Sequence, residues 1–169
     1  MDNPTNLRGK EGVEKLKDLV DEIKICLFAT NLKADNGSTS RPMTAQEVDA
    51  EGNIWFFSAI DSDVNKEIAQ YKQVQLFFSN PEKNIYLTLN GNAEIIINSY
   101  KVDELWSPLV KIWFKEGKED PNLSLIKVNT KDANYWDADG NKMVNFFKLI
   151  ASAVTGKNLI DGNHGTLKV

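Results

Sequence analysis

Residues 41–68 read Arg41-Pro42-Met43-Thr44-Ala45-Gln46-Glu47-Val48-Asp49-Ala50-Glu51-Gly52-Asn53-Ile54-Trp55-Phe56-Phe57-Ser58-Ala59-Ile60-Asp61-Ser62-Asp63-Val64-Asn65-Lys66-Glu67-Ile68. Two β-rich runs, 41–49 and 54–59, flank the Gly-containing turn Ala50-Glu51-Gly52-Asn53. That pattern predicts a hairpin of antiparallel strands. Ser62 is a good N-cap, so a short helix carrying Lys66, Glu67, Ile68 and Ala69 is expected to open where the second strand ends. With strands side by side and the helix following, Arg41, Ser62 and Lys66 approach one point.

Outward from this segment the pattern stays mostly β. Upstream, Val13, Leu16, Leu19, Val20 and Ile23 recur at helical spacing and predict an amphipathic helix over 12–23. The apolar run 24–29 then predicts a strand, followed by the polar loop 35–40. Downstream, strands are expected over 74–78 and 85–97, joined by the turn Asn80-Pro81-Glu82-Lys83-Asn84. Leu105, Leu109, Ile112 and Trp113 predict one or two helices over 100–117, with Pro108 opening the second. A long strand follows over 123–136. The turn at 137–141 resembles a calcium loop only superficially, because Gly140 is misplaced and the terminal glutamate is missing. A last helix over 142–156, carrying Met143, Phe146, Phe147, Ile150 and Val154, ends at Gly156 before a polar tail.

About six strands, mostly neighbours in sequence, predict a mainly β fold with flanking helices: a closed antiparallel barrel, since closure removes exposed edges. The 169 residues suit one domain, 1–169, with a core over about 10–137.

Composition narrows the function. A net charge of −4 supplies none of the counterion-release affinity of nucleic-acid binders, so no nucleic acid is expected. No apolar run reaches the length needed to span a bilayer, and the polar start lacks a signal-peptide core; the expectation is a cytoplasmic protein that does not engage a membrane. The single cysteine, Cys26, excludes an intrachain disulfide and a multi-cysteine metal site, and its apolar neighbours predict a buried, inert thiol. No metal site is expected. The single histidine, His164, lies in a Gly-rich tail and is expected to be solvated or loosely ordered. Dinucleotide, Walker and nucleophile-elbow motifs are all missing. Any chemistry is therefore expected to belong to a bound cofactor.

The converging residues fit an anion carrying a flat ring. A phosphate wants cations, hydroxyl donors and helix N-terminal amides, which Arg41, Lys66, Ser62 and the first helical turn offer. Met43, Thr44, Phe57 and Ser58 offer extended backbone and apolar surface for a ring. Each residue also has an ordinary account: Arg41 and Lys66 as solvated charges, Ser62 as a plain cap, Phe57 as core. Residue chemistry alone leaves both accounts open.

A resemblance favours the first. Arg-Pro-Met at 41–43, Gly-Asn-Ile-Trp-Phe-Phe-Ser at 52–58, Ser62 with Lys66-Glu67-Ile68, and Leu-Asn-Gly-Asn-Ala-Glu-Ile at 89–95 resemble the general stress branch of the pyridoxamine-phosphate-oxidase-like, FMN-binding split barrels. The likeness continues through Leu105-Trp106-Ser107-Pro108, Trp113-Phe114, Asp120-Pro121 and Tyr135-Trp136-Asp137. It implies a six-stranded split barrel of Greek-key type and a homodimer holding two FMN molecules at its interface. Arg41 and Lys66 would bind the phosphate, with Ser62 and Asn65 supporting it or the ribityl chain. Met43, Thr44, Phe57 and Ser58 would line the ring, and Trp113 with Phe114 would cover it from the partner subunit. The other tryptophans, Trp106 and Trp136, are expected in packing roles.

The resemblance has limits. The oxidase proper carries adjacent basic residues after the serine matching Ser62, where Asp63 and Val64 stand here, and its C-terminal arginine and histidine segment is replaced by 157–169, whose cations are Lys157 and Lys168. Oxidation of vitamin B6 is therefore not expected. Two functions remain in view: an FMN-dependent oxidoreductase of unknown substrate, and a non-catalytic protein that stores, buffers or senses FMN. An interaction module with an empty pocket is the third.

Overall fold

The computed structural model describes residues 7–137 and 163–169. Helix α1 (Gly9–Ile23) buries Leu16, Leu19 and Val20, the face expected from their spacing. Lys24 ends it with φ 67°, a left-handed conformation that turns the chain into β2 (Ile25–Thr30). Along β2, Cys26 and Phe28 point into the core while Ile25 and Leu27 face outward.

The expected hairpin forms only in part. β3 (Thr39–Thr44) pairs with β2, in the register Phe28↔Arg41 and Cys26↔Met43, and does not pair with 54–59. Only the two-residue strand β4 (Glu47–Val48) pairs with β5 (Asn53–Ala59). Two bonds show the handover: the Ala45 amide donates to the Lys24 carbonyl, and the Gln46 amide donates to that of Trp55, each at 2.8 Å. Pro42 supplies a reason, since a residue without an N–H suits an edge strand, and β3 lies at the end of the sheet path.

Helix α2 (Asp63–Gln70) opens at Ser62 as expected. β6 (Gln73–Asn80) and β7 (Ile85–Ile96) form the second hairpin. Helix α3 (Ser99–Leu105) is capped by Asn98, and Pro108 opens a short 3-10 helix, Pro108–Ile112, followed by another at Gly117–Glu119.

The organising strand is β8 (Leu123–Asp137). One edge pairs with β7; the other pairs first with β5 (Asn53↔Asn129 to Ala59↔Leu123) and then with β9, Asn163–Lys168. The register shifts between Asn90 and Gly91, whose partners are Asp132 and Thr130, leaving Lys131 as a bulge. A Cβ at Gly91 would lie 2.6 Å from the Asn129 carbonyl oxygen, so the close strand approach there requires glycine.

Five of the six expected long strands form, the sixth, 41–49, divides between β3 and β4, and the short β1 (Leu7–Arg8) and β9 are additional. The sheet is not closed, which makes it a split barrel. β9 corrects the expectation of a loosely ordered tail: its backbone, including His164 opposite Trp136, pairs with β8, while β1 pairs with it in parallel. An unpaired β8 edge presents free N–H and C=O groups, and this short segment occupies them. The expected helix over 142–156 and the turn after Asp137 fall outside the described residues.

Two apolar clusters result. The barrel interior holds Phe28 and Phe56 edge to face, with ring centroids 5.2 Å apart, among Leu76, Phe78, Leu87 and Ile126. A second cluster, Trp55, Val102, Val110, Phe114, Leu123 and Leu125, forms on the opposite face of β5 and β8 under α3 and the 3-10 helices. Cys26 is buried as expected, and burial pushes its thiol pKa up to about 12.

Candidate functional site

Period-2 alternation on β5 sends Ile54 and Phe56 into the barrel and leaves Trp55 and Phe57 on the other face. There, β3, the end of β5 and residues 107–122 enclose a cleft of about 690 Å³. Its walls include Met43, Thr44, Phe57, Ser58, Trp113 and Phe114, so six of the ten residues given site roles from sequence meet in one place. Phe57 is held edge to face against Trp106, with centroids 5.9 Å apart, and lies 6.4 Å from Phe114. Trp113 is 81% exposed at the rim, a position from which its ring can meet a ligand or a second chain. Trp106 packs, as expected.

Arg41, Ser62, Asn65 and Lys66 do not line this cleft; they belong to the α2 end. Ser62 Oγ donates to the Ala59 carbonyl at 2.6 Å and receives the Asn65 amide at 3.4 Å. Arg41 Nη2 donates to Glu67 Oε2 at 2.5 Å, and Nη1 to Thr30 Oγ1 at 2.6 Å. Thr30 Oγ1 also donates to Glu67, closing a triangle across β2, β3 and α2. The Arg41 and Glu67 side chains keep 23% and 17% of their exposure, so this ion pair is largely enclosed. Lys66 is exposed, with Nζ 3.5 Å from Asp63 Oδ1. Each cation at this end thus faces its own carboxylate.

Between the two ends lies a buried polar knot. Asn65 Nδ2 donates to Ser124 Oγ at 3.0 Å, Ser124 Oγ donates to the Ser58 carbonyl at 3.1 Å, and the two serine hydroxyls are 2.9 Å apart. Asn65 Oδ1 is buried without a partner among the described residues.

The sequence pattern did not point to Ser124 or Asn122, and it marked Asp120 only as part of the family resemblance, without a ligand role. Asn122 Nδ2 donates to Asp61 Oδ1 at 2.8 Å, and its own amide donates to Asp120 Oδ1 at 3.0 Å, which fixes the cleft floor to the start of α2. Only the long-range β5–β8 pairing brings these residues in, a signal that local spacing does not carry. Leu109 and Ile112 also line the cleft; helical spacing picked them out, without a ligand role.

One sheet face beside the cleft is apolar and exposed. The register sets Leu27 between Pro42 and Phe77, and Tyr86 opposite Trp136, with Ile25 on the same side of β2. Ile25 and Pro42 belong to both this face and the cleft.

Residues 11–161 match the family described as Pyridoxamine 5'-phosphate oxidase like. The chain belongs to this family. A curated relative, Protein bli-3 of Neurospora crassa, is 20% identical over 154 residues, covering 86% of this chain and 74% of its own. Among solved structures, a candidate general stress protein 26 from Jannaschia sp. CCS1 superposes with a TM-score of 0.72 at 21% identity, covering 92% of this chain and 97% of its own. A general stress FMN/FAD binding protein from Xanthomonas citri gives 0.65 at 27% identity, covering 77% and 90%. The split-barrel fold of the pyridoxamine-phosphate-oxidase-like family is therefore common to this chain and these two solved structures. Among the described residues no helix is long and apolar enough to cross a membrane.

Proposed function

We propose that this chain is a general-stress-type flavoprotein that binds FMN, with the isoalloxazine ring in the cleft and the phosphate at the α2 end. The observation that carries the reading is the convergence of Met43, Thr44, Phe57, Ser58 and Trp113 on one mostly apolar cleft. The named ligand of the Xanthomonas citri relative supports it. The residues fit both parts of the group: aromatic and extended walls suit a flat ring, and the exposed Lys66 and the largely enclosed Arg41 suit a phosphate once their carboxylate partners yield. The apolar band over Leu27, Phe77 and Trp136 supports a homodimer, in which a second copy extends the cleft through the shared Ile25 and Pro42 and covers the ring beside Trp113.

FMN, when bound, supplies electron transfer to an unidentified partner molecule. The chain's own work is to desolvate the ring with Phe57 and Phe114, to orient it through Ser58 and the β3 backbone, and to anchor the phosphate. Cytoplasmic residence remains part of this proposal. A second reading, storage or sensing of FMN without turnover, draws support from the cleft itself, in which Asp120 is the one ionisable side chain among the described lining residues that could move a proton.

An FMN titration of the full chain, followed by anaerobic NADH or NADPH, tests both. Saturable binding with bleaching of the flavin band supports the oxidoreductase, and binding without bleaching by either donor supports storage or sensing. A preparation that binds no FMN at all removes the proposal. Phe77→Asp is expected to shift the particle mass from dimer to monomer in light scattering; a protein that is monomeric before mutation removes the dimer.

A further inference from the structure

The charge of the cleft is opposite to what a phosphate ligand calls for. Among the described residues its lining holds one ionisable group of full charge, Asp120, and no lysine, arginine or histidine. Asp120 Oδ1 accepts the Asn122 amide at 3.0 Å, and among the described residues no cation forms an ion pair with it. A molecule entering the cleft therefore meets an uncompensated carboxylate.

A second observation concerns what stands beside that carboxylate. Among the described residues the rest of the lining is mostly apolar, with Met43, Phe57, Leu109, Val110, Ile112 and Trp113. Ser58 borders the cleft, but its hydroxyl lies on the Phe56 side of β5, buried 2.9 Å from Ser124 Oγ.

We infer that the cleft selects a planar apolar molecule that is neutral or cationic, with Asp120 as the residue that sets charge specificity, and that it turns away carboxylates and phosphates. This rests on the cleft being the ring-binding site of the proposed function, but not on the ring being a flavin. The chain then handles charge at two separate places: anionic groups at the α2 end, and neutral or cationic rings in the cleft.

Three naphthalenes of similar size test this on the full chain at low salt, by fluorescence titration: 1-naphthylmethylammonium, 1-naphthylmethanol and 1-naphthoate. The cation is expected to bind roughly five- to tenfold more tightly than naphthoate, the scale of one partly solvated charge a few ångströms away, with the alcohol between them. Asp120→Asn keeps the oxygen that receives the Asn122 amide; it is expected to bring cation and anion within about twofold while leaving the alcohol unchanged. Naphthoate binding as tightly as the cation, an unchanged ratio in Asp120→Asn, or failure of all three probes to bind would overturn the inference. FMN titrated into the same samples separates the two ideas. FMN binding without charge preference removes only the inference, and charge preference without FMN binding removes only the flavin.

Discussion

At the cleft end of the site, Phe57, Phe114 and Trp113 leave about 690 Å³ of mostly apolar space with a lone carboxylate; at the α2 end, Arg41 and Lys66 stand beside Glu67 and Asp63. The first region is ready for a ligand, because desolvating an apolar wall needs no partner to leave. The second is not. A phosphate arriving there replaces existing ion pairs, so its attraction is offset by the carboxylates it displaces. Ring burial therefore sets affinity, and the phosphate adds less than two cations would if unpaired.

The largest effect is expected at the cleft. Phe57→Ala removes a wall and its edge contact with Trp106, and is expected to cost about 2–3 kcal/mol in stability by denaturant unfolding. It should weaken FMN at least ~10-fold, through lost ring contact. Full FMN affinity in this variant would mean that the ring binds elsewhere, and the contrast between the two ends would lose its basis.

Next comes the enclosed pair at the other end. Arg41→Ala leaves Glu67 with only the Thr30 hydroxyl, at an expected cost of about 2 kcal/mol, below the figure for a fully buried pair because both side chains keep some solvent. Glu67→Gln acts in the opposite direction on the ligand. It frees the guanidinium, so FMN should bind more tightly while riboflavin is unaffected, raising their ratio several-fold over a wild-type value below ~30-fold. A ratio that falls in Glu67→Gln would show that the carboxylate positions Arg41 for the phosphate and does not compete with it.

Lys66→Ala is smaller. Both Lys66 and Asp63 are mostly exposed, so stability is expected to stay within about 0.5 kcal/mol and FMN to weaken about two- to fivefold. The effect should shrink at high salt, which a titration series in added chloride checks directly.

What was legible in the sequence divides along the same line. Phe57 was readable because strand alternation puts it on the face opposite Ile54 and Phe56, and Ser62 because a cap is a local feature; Met43, Thr44 and Ser58 followed from the family pattern and not from a shared face, since 43 and 44, like 57 and 58, are neighbours that point to opposite sides. Arg41 was readable as a cation but not as half of an ion pair, since nothing in the spacing of 41 and 67 shows that β3 runs beside β2 and faces α2. Asp120 and Asn122 reach the cleft, and Ser124 reaches Ser58 and Asn65 behind it, through pairing of β5 with a strand some sixty residues on, and long-range register leaves no local trace. The 41–49 run was read as one strand, but the chain changes partner at Ala45 and Gln46. β9 was read as tail because its glycine and polar residues mimic a loop; its strand character comes from the open edge of β8.

Cys26 gives the finest test of the contrast. It lies opposite Met43 in the β2–β3 register, behind the cleft wall, and burial raises its pKa to about 12 from an ordinary value of 9.0. A thiol whose folded pKa is raised is neutral and stabilising below the unfolded value, and that contribution is lost as pH rises from about 9 towards 12. Near neutral pH the enclosed thiol is almost wholly protonated, so a disulfide reagent labels it only when β2 and β3 part. A ring held against Met43 should oppose that parting. FMN and riboflavin are therefore both expected to slow labelling roughly two- to fivefold, in proportion to occupancy, as linkage requires of a ligand that binds only the closed form. Inorganic phosphate, which addresses the α2 end alone, should leave the rate unchanged. If phosphate slows labelling as much as riboflavin does, the two ends are coupled through the Arg41 strand, and the division between them dissolves.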